Sequence, residues 1–203
     1  ARGQPAAGRG TYRELHSSGV WIMDVVILAG GRGTRISHIW SGPKCLVPVD
    51  VVPLLQRLLD LLVPLNPQYV TLSLGVKAAE VQQFVKKGFS FPVACCVDPQ
   101  PRGTTAALRR AVKKGYVEAP LLVLNGDTLP LYDLAALVRY HEQRPGAWAT
   151  AAFAHDATAW RDVYAGACVL SAAALKEITA DERTQDFSAH LLGAQRFIVP
   201  GFL

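Results

Sequence analysis

The sequence predicts an α/β domain with a doubly wound, mostly parallel, Rossmann-like sheet in three α/β/α layers. Short, almost wholly apolar runs such as DVVILA at 24–29 alternate along the chain with longer segments of helical periodicity. Apolar runs without polar alternation are typical of parallel strands that helices cover on both faces. The 203 residues fit a single domain of this type.

Each element has its own local signal in the sequence. β-Branched and apolar runs predict strands over 24–29, 69–74, 91–97, 120–124, 148–153, 163–170 and 195–199. Leucine or alanine at helical spacing predicts helices over 53–63, 77–87, 104–114, 131–142 and 172–178. Pro53 suits the first turn of a helix, and Gly88 and Gly115 are typical residues just beyond a helix end.

This fold class predicts where a ligand would bind. In open α/β sheets, ligands lie outside the carboxyl ends of the strands. The loops after Ala29, Val97, Leu124 and Phe153 are therefore expected to line one cleft.

The composition excludes several functional classes. Hydrophobic residues make up 50% of the chain and charged residues 18%, which excludes intrinsic disorder. No apolar run reaches the roughly 18 residues of a membrane span. The net charge of +5 comes from scattered basic residues, so we expect neither nucleic-acid nor membrane binding. Cys45, Cys95, Cys96 and Cys168 form no C-x-x-C pair, which favours reduced thiols in a cytoplasmic protein.

The chain divides at its only methionine. Residues 1–22 are rich in glycine, arginine, alanine and serine without periodicity, and they lack the apolar stretch of a signal peptide. We interpret them as a flexible N-terminal extension, either upstream or added sequence or an arm that contacts a partner. Residues 23–203 are expected to form the single domain, with Met23 directly before the first strand.

A glycine-rich loop follows the first strand. It reads LAGGRGTR over 28–35, and its three glycines would expose backbone N–H groups to phosphate oxygens. A dinucleotide-binding G-x-G-x-x-G loop is excluded because Ile36 occupies the third glycine position, and no Walker A string occurs. A tight turn is the structural alternative for the glycines alone. Lys44 follows in PKCLVPV at 43–49, where it is either a surface residue or a charge directed at the cleft.

Together these two segments resemble the signature of the sugar nucleotidyltransferases, also called nucleoside-diphosphate-sugar pyrophosphorylases. Later segments agree in order: TLSLGVKAAEVQQFV at 71–85, DPQPRGT at 98–104, LVLNGDTL at 122–129 and YAGACVLS at 164–171. The mannose-1-phosphate and manno-heptose-1-phosphate guanylyltransferases are the most similar subgroup. The resemblance implies a glycosyltransferase-A-like nucleotidyltransferase fold. It also implies transfer of a nucleotidyl group from a nucleoside triphosphate, GTP favoured, to a phosphorylated sugar or cyclitol, with release of pyrophosphate.

The resemblance assigns the nucleotide site. The triphosphate would lie on the loop formed by Leu28, Ala29, Gly30, Gly31, Arg32, Gly33 and Thr34. Arg35 would neutralise the leaving pyrophosphate and Lys44 the charge near the α-phosphate. Asp127, after Asn125 and Gly126, would hold Mg²⁺, with an Asx-capped turn as the alternative.

The base and the acceptor are assigned in the same way. Asp98 would accept hydrogen bonds from guanine, unless it is only a turn residue before Pro99, and Gly103 and Thr104 would contact the base through their backbone. Gly166 would allow a close approach of the acceptor or close strand packing. Members of this family are often dimers, so a homodimer is a further expectation.

The acceptor half departs from the family pattern. The lysine that meets the sugar phosphate has no counterpart between 154 and 163. The segment F-S-x-E-[KR]-D reads FSAHLL over 187–192, so His190 takes the acceptor-binding position of the glutamate. The family's second metal carboxylate would follow the final PGFL, which suggests a truncated C-terminus or a metal site with one carboxylate. Two alternatives stay open: a family member that binds nucleotides without catalysis, and transfer to a non-sugar phosphate.

Overall fold

The fold is organised around one mixed sheet. The computed structural model describes residues 23–31, 33–156 and 161–199, so the predicted extension at 1–22 and the end at 200–203 lie outside the described residues. Seven described strands form the sheet in the order β5-β4-β1-β6-β8-β7-β9. They are β1 (Asp24–Ala29), β4 (Tyr69–Leu74), β5 (Val93–Val97), β6 (Leu121–Asn125), β7 (Ala149–Asp156), β8 (Arg161–Leu170) and β9 (Gln195–Val199).

The direction of the strands confirms the mostly parallel sheet. β1 pairs in parallel with both β4 and β6, β4 with β5, and β7 with β9. Only β8 runs antiparallel to its neighbours β6 and β7. The chain leaves β1 first toward β4 and β5 and then returns to place β6 on the other side. The crevice above β1 and β6 is therefore the topological switch point where such sheets bind ligands.

Five helices of the described residues cover the two faces of the sheet. They are α1 (Leu54–Leu62), α2 (Ala78–Val85), α3 (Thr104–Lys113), α4 (Leu134–Glu142) and α5 (Ala172–Ala180). Leucines of α1 and α4 belong to one buried cluster, and Leu108 of α3 and Ile178 of α5 belong to the other. Within β1, Val25 faces the first cluster and Val26 the second, which explains the uninterrupted apolar run.

Several element boundaries differ from the sequence prediction. α1 begins at Leu54 because Pro53 stays extended and pairs with Pro48 in a small hairpin of β2 (Pro48–Val49) and β3 (Val52–Pro53). α4 begins at Leu134, not at residue 131, because the Asp133 carboxylate accepts the Ala135 N–H at 2.8 Å as an N-cap. Helix boundaries depend on such caps as much as on periodicity.

Over residues 23–31, 33–156 and 161–199, no helix has the length and apolar character needed to cross a bilayer.

Candidate functional site

A cavity of about 620 Å³ opens at the carboxyl ends of β1 and β6. Its walls include the loops after Ala29, Val97 and Leu124, which confirms three of the four loops predicted to share a cleft. The fourth loop follows β7, and its residues 157–160 lie outside the described residues. Within the described part of the chain, the rest of the wall comes from Lys44 and Cys45, the end of β4, the first turn of α3, Tyr164 on β8 and the segment 185–188.

The glycine-rich loop lies directly against the end of β4. A Cβ added to Gly75 would lie 2.4 Å from the Gly30 carbonyl oxygen, so only glycine at position 75 permits this approach. Leu28, Ala29, Gly30 and Gly31 line the cavity. Gly33 caps a short 3₁₀ turn (Thr34–Ile36) with φ of 65°, and this turn carries Arg35 to the cavity wall. Arg32 falls outside the described residues.

Lys44 and Asp127 form an ion pair inside the cavity. Lys44 Nζ donates to Asp127 Oδ2 at 2.6 Å across 83 residues of sequence. Their side chains are 28% and 41% exposed, respectively. Lys44 is therefore directed into the cleft, and its contact with a phosphate stays a prediction.

The end of β6 is fixed against β1. The Gly126 N–H donates to the Leu28 carbonyl at 3.0 Å. A Cβ on Gly126 would lie 2.8 Å from that of Ala29, so only glycine fits between the two strand ends. Asn125, Gly126 and Asp127 all line the cavity.

The donor set suits a hard cation. Three carboxylates line the cavity, from Asp98, Asp127 and Asp186, whereas Arg35 and Lys44 are its cations among the described residues. Mg²⁺ is commonly held by one or two carboxylates with substrate phosphates and waters. Mg²⁺ binding by Asp127 therefore stays a prediction. Within the described ranges, no group of three or more His, Cys, Asp or Glu side chains is placed to hold a metal ion by itself.

Asp98 is buried at the end of β5 and already has partners. Its Oδ1 accepts the Gln100 N–H at 3.0 Å and lies 3.0 Å from Arg110 Nη2. Its own N–H donates to the Leu74 carbonyl at 2.8 Å. To bind guanine through both carboxylate oxygens, Asp98 would have to give up the contacts of Oδ1 with Gln100 and Arg110. Base recognition by Asp98 therefore stays a prediction.

The start of α3 is docked on the segment 185–188. The Thr105 N–H donates to the Gln185 carbonyl at 3.1 Å, and the Phe187 N–H donates to Thr104 Oγ1 at 2.8 Å. A Cβ on Gly103 would lie 2.4 Å from the Gln185 oxygen. Gly103 and Thr104 thus both line the cavity and hold its far wall in place.

The two predicted acceptor residues are not among the residues that line the cavity. Gly166 has φ of 84°, and a Cβ there would lie 2.9 Å from Thr128, which is the close-packing alternative. His190 has a side chain only 13% exposed, and its Nε2 lies 3.7 Å from Asp181 Oδ2. Their roles in acceptor binding stay predictions.

Five polar residues of the cavity wall were not predicted from the sequence: Ser73, Tyr164, Gln185, Asp186 and Ser188. Tyr164 lies in the YAG string where the family pattern has asparagine, and Asp186 directly precedes the FS string. The places of Tyr164 and Asp186 in or next to these two strings were the signals in the sequence that could have identified them. The Tyr164 hydroxyl is buried beside the Cys168 thiol, and burial raises the pKa of this phenol well above its usual value.

Cys45 is a thiol in the cavity wall next to Lys44. Burial raises its pKa to about 11, so it stays protonated at neutral pH. The arrangement therefore offers no thiolate nucleophile at this position. It offers instead a glycine-rich backbone, two cations and carboxylates, which suits positioning and charge neutralisation.

Comparison with known proteins agrees with this geometry. The family model of the MobA-like NTP transferase domain matches residues 25–195. The D-glycero-alpha-D-manno-heptose 1-phosphate guanylyltransferase of Aneurinibacillus thermoaerophilus is 30% identical over 121 residues, which cover 59% of this chain and 52% of that protein. The match thus spans about half the length of the curated relative.

Solved structures extend the likeness over most of the chain. HddC from Yersinia pseudotuberculosis, complexed with GMP-PN, superposes with a TM-score of 0.70 at 26% identity and covers 87% of this chain and 90% of its own. The inositol-1-phosphate CTP transferase from T. maritima has a TM-score of 0.70 at 13% identity, and the superposition covers 89% of this chain and 86% of that protein. At this low identity, the likeness is evidence of a shared fold only.

The chain belongs to the MobA-like NTP transferase domain family, whose model covers most of its length. Its sheet is the glycosyltransferase-A-like α/β fold of the nucleotidyltransferases.

Proposed function

We propose that this chain transfers a nucleotidyl group from a nucleoside triphosphate, GTP in preference, to a phosphorylated sugar or cyclitol. One observation carries the proposal. The glycine-rich loop, Arg35, Lys44 and Asp127 come from separate segments and meet at one cavity above the switch point of the sheet.

The reaction needs no covalent intermediate with the protein. An oxygen of the acceptor phosphate forms a bond to the α-phosphorus while the bond from that phosphorus to the bridging oxygen of the β-phosphate breaks. The bonding electron pair leaves with pyrophosphate. Catalysis then rests on alignment of the two phosphates and on neutralisation of their charge.

The residues divide this work between them. The backbone of Gly30 and Gly31 would hold the phosphates, and Arg35 would neutralise the departing pyrophosphate. Lys44 would release Asp127 and contact the α-phosphate, which frees the carboxylate for a cation. Bound Mg²⁺ would supply charge neutralisation to the phosphate oxygens, with Asp127 as its protein ligand.

The preference for GTP rests mainly on relatives. The curated relative described above is a guanylyltransferase, and HddC was crystallised with GMP-PN. The buried Asp98 carboxylate at the cavity wall is a chemically suitable acceptor for the N–H groups of guanine.

The four free thiols support a reducing, cytoplasmic location, and a homodimer stays a prediction.

Thermal stabilisation tests the nucleotide half. GTP, dTTP, UTP, CTP and ATP are each added with and without Mg²⁺ to the full chain. A nucleotide at 100 times its Kd is expected to stabilise the fold by about 2.7 kcal/mol. Pyrophosphate release is then measured with GTP and an acceptor panel of mannose 1-phosphate, D-glycero-D-manno-heptose 1-phosphate and myo-inositol 1-phosphate. The absence of stabilisation by every nucleotide would contradict the proposal.

A second candidate function is nucleotide binding without transfer. The observation that favours it is His190, which stands where the family has a sugar-binding glutamate and does not line the cavity. Mg²⁺-dependent stabilisation without pyrophosphate release on any acceptor would support this candidate over the first.

A further inference from the structure

The wall of the cavity next to α3 has polar side chains that no role accounts for. Gln185, Asp186 and Ser188 line the cavity, and His190, two residues beyond them, does not. His190 is instead largely covered and lies near Asp181. The polar side chains that this segment presents to the cavity therefore come from residues 185–188 and not from residue 190.

Asp186 is the charged group of this wall. Its Oδ1 accepts the Ser188 N–H at 3.0 Å and lies 3.4 Å from Thr104 Oγ1. Both contacts use the same oxygen, so Oδ2 makes neither of them. An ionised carboxylate accepts hydrogen bonds only, and hydroxyl groups are suitable donors. With Ser188 and Gln185 beside it, the wall offers both donors and acceptors, which suits a substrate with neighbouring hydroxyls.

The wall is held in a fixed position before any substrate arrives. Hydrogen bonds from Thr105 N to the Gln185 carbonyl and from Phe187 N to Thr104 Oγ1 tie it to the start of α3. Phe187 anchors it in the core at 1% exposure. Tyr164 lines the same cavity, and its buried hydroxyl lies beside the Cys168 thiol.

We infer that Asp186 is the carboxylate that selects a polyhydroxylated phosphate ester as the acceptor. Oδ2 accepts hydrogen bonds from acceptor hydroxyls, while Oδ1 keeps the wall in place through Ser188 and Thr104. The inference rests on the proposed function, because it assigns a specificity residue for that reaction. It also explains how position 190 can lose its carboxylate without loss of acceptor recognition.

The test is Asp186→Asn in the full chain. Asparagine is also an N-cap residue, so the contact with Ser188 is preserved while the negative charge is removed. The acceptor KM in the pyrophosphate-release assay is expected to rise about 10- to 100-fold, as for the loss of a hydrogen bond to a charged group. The stabilisation by GTP and Mg²⁺ is expected to stay at the wild-type value. Glu182→Gln removes an equal charge from an exposed residue outside the cavity and serves as the matched control.

The outcomes separate the inference from the proposed function. If the wild type converts an acceptor and Asp186→Asn keeps its KM, the inference is overturned and the proposed function stands. If Asp186→Asn weakens GTP binding as much as acceptor binding, Asp186 serves the nucleotide and the inference is overturned. If the wild type converts no phosphate of the panel, both fail as stated, and the stabilisation by GTP shows whether nucleotide binding remains.

Discussion

Lys44→Met is expected to separate activity from stability. The lysine lies 2.6 Å from Asp127, and the two side chains are 28% and 41% exposed. Because solvent screens the pair, its loss should lower the free energy of unfolding by only about 0–1 kcal/mol. For a chain of this size, that corresponds to a Tm decrease of at most about 4 °C. Loss of a charge that stabilises the transition state should instead reduce kcat by about 100- to 1,000-fold.

The measurement combines thermal unfolding with pyrophosphate release at saturating nucleotide and Mg²⁺. Lys113→Met is the matched control, since Lys113 is exposed on α3 and does not line the cavity. The difference in Tm between wild type and Lys44→Met should shrink at high salt, because salt screens a partly exposed pair. A kcat within threefold of the wild type would refute the catalytic reasoning. A Tm decrease beyond about 8 °C, twice the largest shift expected for this pair, would show that Lys44 is mainly structural.

Three further predictions concern the glycine loop, the base and the thiols. Gly75→Ala places a Cβ 2.4 Å from the Gly30 oxygen, so it should destabilise the fold by about 1–3 kcal/mol and weaken nucleotide binding; unchanged Tm and unchanged GTP stabilisation would contradict this. Asp98→Asn should lower the preference for GTP over UTP in thermal-shift titrations by about tenfold or more, whereas an equal loss for both nucleotides indicates a structural role with Arg110. The folded-state pKa values of Cys45 and Cys95 are raised to about 11. The free energy of unfolding should therefore keep its full value below about pH 9 and fall as the pH rises toward 11. Tm measured across this range should fall less in a Cys45→Ala/Cys95→Ala variant, and an equal fall would count against the thiols as its cause.

The sequence predicted those features that depend on neighbouring residues. The bounds of β1, β4 and β9 agree with the prediction, because each strand is a β-branched or apolar run between turn residues. The start of α4 does not agree, because the choice of Asp133 as the N-cap depends on how the preceding turn folds. The family motifs also placed Arg35, Lys44 and Asp127 at the same cleft, where the structure has them.

The partners of the site residues could not be predicted in this way. Asp98 meets Arg110 because α3 packs on β1 and β4, and Asp186 meets Thr104 across 82 residues of sequence. Neither contact has a periodicity or a motif that would signal it. The second contact follows from the packing of α3 against the segment after α5.

Local sterics and hydrophobic periodicity act over a few residues, so the sequence pattern alone predicts the strands, the helices and the glycine-rich loop. The sequence by itself therefore determined the α/β class, the edge of the sheet that carries the cavity, and the cations and carboxylate that line it. Which carboxylate is already paired and which polar side chains line the cavity depend on contacts between distant segments. Tertiary packing decided these points, since it covered most of His190, paired Asp98 with Arg110 and placed Asp186 at the cavity wall.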